Sequence, residues 1–398
     1  MSYKRGISRT RLPAETFEVV EPALLRAGIT RVADVTGLDR IGIPVFMATR
    51  PNSRSVAVSQ GKGSTLEAAR TSAVMEALEA YVAEFQDVEH DRAPLRSPPA
   101  EARVIDWQRL PRQGAGDPAL DTEVGWTLGE NLLTGEPIWA PLELVHQNYT
   151  IPQPPGHGWL FASSNGLASG NTPGEALVHG LCELIERDSR TRWASRPNAR
   201  VGTRVDPISI STGVSKELLE RFDQADIDCG IWDISGPVGL PAFICSIKER
   251  GHSGRISAKV DSGSGCHPNR EIALARAITE AAQMRLTYLV GARDDQAHAY
   301  YAPSVATGHG PDLQMIAGGK QFTEIPTMIA DSPQGDLDYV LSRLTQFGAD
   351  QIFAYHFDAD ELLGLKRGSI SVARVIVPGL AGPMEAYNHH LLGATRIS

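Results

Sequence analysis

Short apolar runs rich in β-branched residues alternate along this chain with longer stretches in which apolar residues recur every three or four positions. The first pattern predicts strands and the second predicts helices. A polar lead and an amphipathic helix (PAETFEVVEPALLRAG) are expected within residues 1–30, and strand-like material in IGIPVFMAT. Ser55–Ser59 alternates as a strand does, and Gly61 and Gly63 are expected to break it before a helix from about Thr65 to Glu84. Residues 93–118, rich in Pro, Arg and Gly, read as a surface connector, and Trp126 to Val145 as strands forming a hairpin. After a Pro- and Gly-rich loop at 148–158, helices are expected from about Pro173 to Arg187, early in 213–250, and from about Asn269 to Val290. The tail adds a helix (DLDYVLSRLTQFG) and the strands QIFAYHF and ISVARVIVPGL.

Within this pattern one unit occurs three times. An apolar run ends in a glycine-rich turn, and the turn opens a helix with acidic or amide residues three apart. The copies are SVAVSQGKGSTLEAARTSAVMEALEA with Glu76 and Glu79, FASSNGLASGNTPGEALVHGLCELIERD with Glu183 and Glu186, and SAKVDSGSGCHPNREIALARAITEAAQ with Glu280 and Gln283. Glu183 follows Glu76 by 107 residues and Glu280 follows Glu183 by 97, too long a period for a solenoid. The expectation is a mixed α/β (α+β) fold with three strand–Gly turn–helix units around one site. Residues 1–398 are expected to form a single domain, with residues 1–54 as its N-terminal lead.

Helical spacing puts Ser72, Glu76 and Glu79 on one stripe, edged by Ala69, Ala73, Ala80 and Ala83. Glu175, His179, Cys182, Glu183 and Glu186 share a face of the second helix, and Arg276, Glu280 and Gln283 a face of the third. Solvated faces of amphipathic helices are the plain reading. Against it, the first stripe carries no Lys or Arg, and like charges at this spacing repel. Glu76, Glu79, Glu175, Glu183, Glu186 and Glu280 converging on one cleft would need a cation, and Mg²⁺ shared with phosphate oxygens suits them. The turns around Lys62 and Asn171 are placed to present N–H groups to an anion. GKG is not a Walker loop, and Lys62 serves equally as a turn lysine or near phosphate.

Composition narrows the partners. Of 398 residues, 42% are hydrophobic and 21% charged, as in a soluble globular protein. A net charge of −9 with no basic run argues against a general nucleic-acid or membrane surface. The N-terminus has no apolar segment of the secretory kind, and no stretch is long enough for a membrane helix. Cys182, Cys229, Cys245 and Cys266 form no CxxC and read as reduced, buried thiols of a cytoplasmic protein. Cys266–His267 could supply a nucleophile but shows no orienting partner, and His389–His390 reads as a tail feature rather than a metal pair.

SQGKGSTLEAARTSAVMEALE, SSNGLASGNTPGEALVHGLCELIERD, RAITEAAQMR and RVIVPGL together resemble the YcaO family in order and over nearly the whole chain. The opening GITRVADVTGLDRIGIPVFMATRPNSRS is most similar to the subgroup that works with TfuA proteins. The resemblance implies a YcaO-type ATP-binding fold that uses ATP and Mg²⁺ to phosphorylate the oxygen of a peptide backbone amide after a nucleophile has added to it. Carried onto this sequence, it implies Glu76, Glu79, Glu183 and Glu186 as Mg²⁺ ligands. It implies nucleotide contacts at Asn171, Glu175, Arg187, Arg276, Glu280 and Gln283, with Ser72 from the first stripe counted beside them. Arg9 and Thr16 are approximate counterparts of a Lys and a Ser in some members. No catalytic residue is assigned.

Two departures bear on activity. Ala80 follows Glu79 where the family often has Arg, and the chain ends HHLLGATRIS where cyclodehydratases often carry PxPxP. No fused leader-binding domain is apparent in the sequence. Thioamide formation with a TfuA-like partner is therefore expected first, and azoline-forming cyclodehydration second. A nucleotide-binding accessory role in ribosomal-protein methylthiolation is third. The expected partners are the TfuA-like protein and a peptide or protein substrate, and a homodimer is allowed for.

Overall fold

The computed structural model describes residues 3, 8–100, 102–113, 119–196, 199–251, 259–293, 313 and 318–382. Among these residues three sheets carry the fold. The first is antiparallel, β1 (Arg31–Asp34), β2 (Val45–Thr49) and β3 (Val58–Lys62), in that order. A seven-stranded sheet contains β4 (Asp91–Pro94), β5 (Arg103–Val104), β6 (Glu123–Asn131), β7 (Pro137–Pro141), β8 (Leu167–Gly170), β12 (Phe353–Phe357) and β13 (Ser371–Ile376). It runs β5-β7-β6-β12-β13-β8, with β4 also paired to β6. The third sheet is β11 (Asp261–Cys266), β10 (Ala242–Glu249) and β9 (Ile227–Asp233).

The described helices begin with α1 (Pro13–Val20), α2 (Leu66–Phe85), α3 (Pro173–Ala194) and the short α4 (Ala199–Thr203). After them come α5 (Gly213–Gln224), α6 (Arg270–Val290) and α7 (Pro333–Phe347). The three long helices each follow an edge strand: β3 leads into α2, β8 into α3 and β11 into α6. Thr65, Thr172 and Asn269 cap them, each side-chain oxygen accepting a backbone N–H of the first turn. The caps repeat at the same offsets as the carboxylates, so the three units are equivalent position by position.

The units also close a ring. Helix α2 packs on β8 of the second unit, α3 on β11 of the third, and α6 on β3 of the first. One apolar core lies between α2 and the large sheet, a second around α3, and a third between α5, α6 and the third sheet.

Some boundaries differ from the sequence expectation. Gly61 does not break the first strand but lies inside β3, where a Cβ would stand 2.0 Å from the Ala73 nitrogen of α2. Gly265 lies inside β11, where a Cβ would stand 2.2 Å from the Ala273 carbonyl. These glycines let a helix lie against its own strand rather than turn the chain. Helix α1 ends at Val20 and a 3-10 turn covers Glu21–Ala23, because Pro22 has no N–H to continue it. Helix α3 runs on to Ala194, beyond the expected Arg187.

The stretch 93–118 supplies β5 and buries Leu95, Ile105 and Leu110, so its described part joins the large sheet and its core. Residues 101 and 114–118, and His389–His390, lie outside the described residues. The N-terminal lead adds two strands to the first sheet. No described helix is long and apolar enough to cross a membrane.

Candidate functional site

The inner faces of α2, α3 and α6 meet around the ring, and equivalent positions look toward one another. Glu76, Glu183 and Glu280 form one tier, and Glu79, Glu186 and Gln283 the next. Each member of the second tier reaches the next unit's strand. Ser169 of β8 steadies the charged form of Glu79, and Ser264 of β11 donates its hydroxyl to Glu186 at 2.6 Å. Gln283 donates its amide to the Gln60 carbonyl of β3 at 2.8 Å. Two members of the first tier turn back to their own strands: Glu76 accepts the Gln60 N–H at 3.3 Å and Glu280 the Ser264 N–H at 3.2 Å.

The expected set of six carboxylates divides by partner. Glu280 ion-pairs with Lys62 at 2.6 Å. Burial pushes its pKa up, but Lys62 and Arg187 outweigh that and the net direction is down. Glu175 is fully enclosed and stands apart from the ring. Its oxygens accept the Thr10 N–H and hydroxyl at 2.7 and 2.6 Å and the Asn171 N–H and side-chain amide at 3.0 Å each. Arg9 lies 3.4 Å from it, and Thr16 donates to the Asn171 side chain at 2.8 Å. Arg9, Thr16, Asn171 and Glu175 are therefore brought together, and the Asn171 N–H is spent on Glu175 rather than offered to an anion.

Glu76, Glu79 and Glu186 have no ion pair among the described residues, and Glu183 has only Arg187 at 3.8 Å. Burial raises the pKa of all four, that of Glu183 to about 7. Mutual repulsion adds to it: Glu76 and Glu183 act on Glu79, Glu186 on Glu183, and Glu280 on Glu186. Glu76 is nonetheless exposed to solvent, and Glu79 and Glu183 are half-buried. Carboxylates hemmed in by protein yet reachable from outside line a cleft, and charge brought in from solution can relieve them.

The donor set fits Mg²⁺ with a phosphate guest. No three described His, Cys, Asp or Glu side chains stand close enough to hold an ion by themselves. Mg²⁺ ordinarily takes one or two carboxylates and completes its shell with water and phosphate oxygens. Cationic groups stand beside the wall. Arg276 donates to the Cys266 carbonyl at 3.4 Å, and its pKa is lowered by burial and then by Arg9, so two guanidinium groups crowd one place. Ser72 occupies on α2 the position that Arg276 holds on α6.

Other residues at the site gave weaker signals in the sequence. His179 is the third member of the Ser72/Arg276 tier; its Nδ1 is buried and has no hydrogen-bond partner among the described residues. Its pKa is far below the ordinary value through burial and then Arg276, Arg9 and Lys62. Thr10 gave no signal. Arg374 of β13 did, as a lone cation in an apolar strand. It is 1% exposed, and its Nη1 donates to the Ser163 and Asn165 carbonyls at 2.9 Å each. The four cysteines are free and buried. A hydrogen bond with the Cys182 thiol, and then burial, push the Cys266 thiol well up, away from reactive thiolate.

Comparison with known proteins gives a consistent picture. The family model described as YcaO cyclodehydratase, ATP- and Mg²⁺-binding, matches residues 60–381. An uncharacterized protein in the tfuA 3′ region of Rhizobium leguminosarum bv. trifolii is 38% identical over 383 residues, which cover 94% of this chain and 88% of that one. The YcaO of Methanopyrus kandleri, bound with AMPPCP and Mg²⁺, superposes with a TM-score of 0.70 at 20% identity, over 98% of this chain and 97% of that one. A heterocyclase in complex with substrate and cofactor superposes with a TM-score of 0.73 at 20% identity; the match takes in 96% of this chain and 55% of that longer one. At these identities the structural likeness speaks for the fold.

Proposed function

The chain belongs to the YcaO family, and from that premise we propose that it uses ATP and Mg²⁺ to activate a peptide backbone amide by O-phosphorylation, for thioamide formation with a TfuA-like partner. The observation that carries the nucleotide part is the wall of Glu76, Glu79, Glu183 and Glu186, in which, among the described residues, only Glu183 has an ion pair, with Arg187 at 3.8 Å. Bound Mg–ATP supplies the phosphoryl group that lets an amide oxygen, once a nucleophile has added to its carbonyl, leave as phosphate.

The chain's own residues then have separate tasks. Glu76 and Glu79 on α2, and Glu183 and Glu186 on α3, would hold the ions, each pair spaced about one helical turn apart. Lys62 keeps Glu280 charged and in place. Arg276 and Arg187 would hold the phosphates, with Ser72 and Gln283 in support. The Arg9–Thr16–Asn171–Glu175 cluster closes one end, its carboxylate fixing Arg9 and Asn171. Positioning and charge neutralisation are what phosphoryl transfer chiefly asks of a protein.

The thioamide product rests on the relative from the tfuA 3′ region, which supports a TfuA-like partner handling sulfur. The family's description as cyclodehydratases favours azoline formation as the second reading. Both set the reaction in the cytoplasm, where ATP is available. Intact-mass analysis of a candidate peptide incubated with the chain, a TfuA-like protein, sulfide, ATP and Mg²⁺ separates the two. Replacement of oxygen by sulfur adds about 16 Da, and loss of water removes about 18 Da. Absence of ATP turnover under every combination of peptide and partner would leave neither reading standing.

A further inference from the structure

Toward the C-terminal end of α3 the carboxylates give way to cations. Residues 187–204 carry six arginines, Arg187, Arg190, Arg192, Arg196, Arg200 and Arg204, against one carboxylate, Asp188. The stretch is therefore +5 (six minus one) in a chain whose net charge is −9. Its arginines stand two to four residues apart, so no two are adjacent and the sequence shows no basic run. Arg190 follows Glu186 by one helical turn and Trp193 by two, so the stripe that bears Glu183 and Glu186 continues into them.

Folding brings the second half of the stretch to the same place. Two indoles tie α4 to the end of α3: Trp193 Nε1 donates to the Thr203 hydroxyl at 2.9 Å, and Trp232 Nε1 of β9 donates to the Arg200 carbonyl at 3.1 Å. The Arg200 guanidinium lies over the Trp193 ring, 5.7 Å from its centroid, and that of Arg204 over the Trp232 ring at 5.8 Å. A stacked guanidinium keeps its N–H edge for a carboxylate. Arg196 and Arg200 are exposed and Arg190 is half-buried, and none of the three has an ion pair among the described residues. Val201, between the two stacked arginines in sequence, is 85% exposed.

A solvated helix end is the plain alternative. Cations in a last turn suit the helix dipole, and Arg192 is matched there, its Nε 2.8 Å from Asp188. The dipole does not account for Arg200 and Arg204, which lie beyond the helix. Like charges gathered at one place repel, and an anionic chain laid across them removes that cost. Trp232 is 2% exposed and Trp193 carries Arg200 over its ring. The rings thus hold arginines rather than offer a base a stacking face, which favours carboxylates over nucleic acid.

We propose that this arginine surface docks an acidic segment of the acceptor peptide or protein, from which the rest of the acceptor reaches the carboxylate wall along α3. This rests on the reading of that wall as the place where a peptide amide is activated. The acceptor is then chosen in part by acidic residues at a distance from the bond that reacts.

The probes are fluorescein-labelled octaglutamate and a fluorescein-labelled oligothymidylate of equal length, titrated against the full chain by fluorescence anisotropy at low salt. Octaglutamate is expected to bind at least about tenfold tighter than the oligothymidylate. Arg196→Gln with Arg200→Gln is expected to weaken octaglutamate at least about tenfold, the worth of two exposed charge contacts. Arg196→Glu alone is expected to weaken it too, so that the result does not depend on the contact of Arg200 with Trp193. Arg26→Gln with Arg31→Gln removes the same charge from another exposed place and is expected to change the affinity less than about twofold. No binding of octaglutamate, equal losses in the two double variants, or an oligothymidylate that binds as tightly would each overturn the proposal. Titration of Mg–AMPPCP into the wild type, without either probe, reads the nucleotide function separately, so that the two ideas can fail independently.

Discussion

Carboxylates enclosed by this protein are treated in two ways. Away from the cleft, Glu84, Asp39 and Glu249 are matched. Glu84, 2% exposed, takes Arg50 at 2.5 Å and the Ser53 hydroxyl at 2.9 Å, and Arg285 joins Asp39 at 2.8 Å and Glu249 at 2.5 Å. In the cleft Glu79 and Glu186 have no ion pair among the described residues, and Glu183 has only Arg187, at 3.8 Å. A raised pKa alone does not separate the groups. Glu143 is also pushed to about 7 by burial, yet it is satisfied by the Gly158 and Leu160 N–H groups at 2.6 and 2.8 Å. What marks the cleft is several unmatched carboxylates, from two helices, repelling one another where solvent can reach. The fold pairs charge at Glu84, Asp39 and Glu249 and leaves it without an ion pair at Glu79 and Glu186 among the described residues.

The largest expected effect separates the two groups by function. Glu186→Gln should lower ATP turnover at least about 100-fold, with the melting temperature of the nucleotide-free protein held or raised because one repelling charge is gone. Turnover near the wild-type rate would remove Glu186 from the site. Glu84→Gln should do the reverse. It leaves Arg50 enclosed without its partner, so chemical denaturation should show about 3–5 kcal/mol of lost stability, while the nucleotide affinity of the folded fraction stays the same. Unchanged stability would mean that this pair is not structural.

A smaller effect comes from pH. The folded-state pKa of Glu183, about 7, lies above its ordinary value of 4.5. The native state therefore binds more protons than the unfolded chain across that interval, and stability falls as pH rises through it. Thermal melts of the nucleotide-free protein should show Glu183's contribution fully present below about pH 4.5 and lost as pH passes about 7. Glu143 titrates with the same sign, so the informative quantity is the difference between the wild type and Glu183→Gln. If the two melt in parallel from pH 5 to 8, Glu183 is not held as described.

The sequence made the cleft legible because one unit occurs three times. Spacing put Glu76/Glu79, Glu183/Glu186 and Glu280/Gln283 on helix faces, and the structure turns those faces toward a common centre. It could not show the ring, since the contacts that close it span from 78 residues (Glu186 to Ser264) to 223 (Gln283 to Gln60) and depend on sheet order. Glu175 was legible as part of a stripe, but its capture by Thr10 and Asn171 depends on where the N-terminal segment docks. Gly61 and Gly265 read as turn residues because close helix-to-strand packing and a tight turn ask for the same missing side chain. Residues 93–118 looked like a surface connector because prolines and arginines outnumber the few apolar residues that bury, Leu95, Ile105 and Leu110. Arg374 was visible only as a cation out of place in an apolar strand.

The central claim is that the unmatched carboxylates are completed by Mg²⁺ carried with a nucleotide. Calorimetric titration of AMPPCP at pH 7.5, with and without Mg²⁺, tests it most directly. Binding that requires Mg²⁺, releases protons on complex formation and falls at least about tenfold in Glu183→Gln is the expected result. Binding of equal strength without Mg²⁺, or unaltered in that variant, would contradict the account.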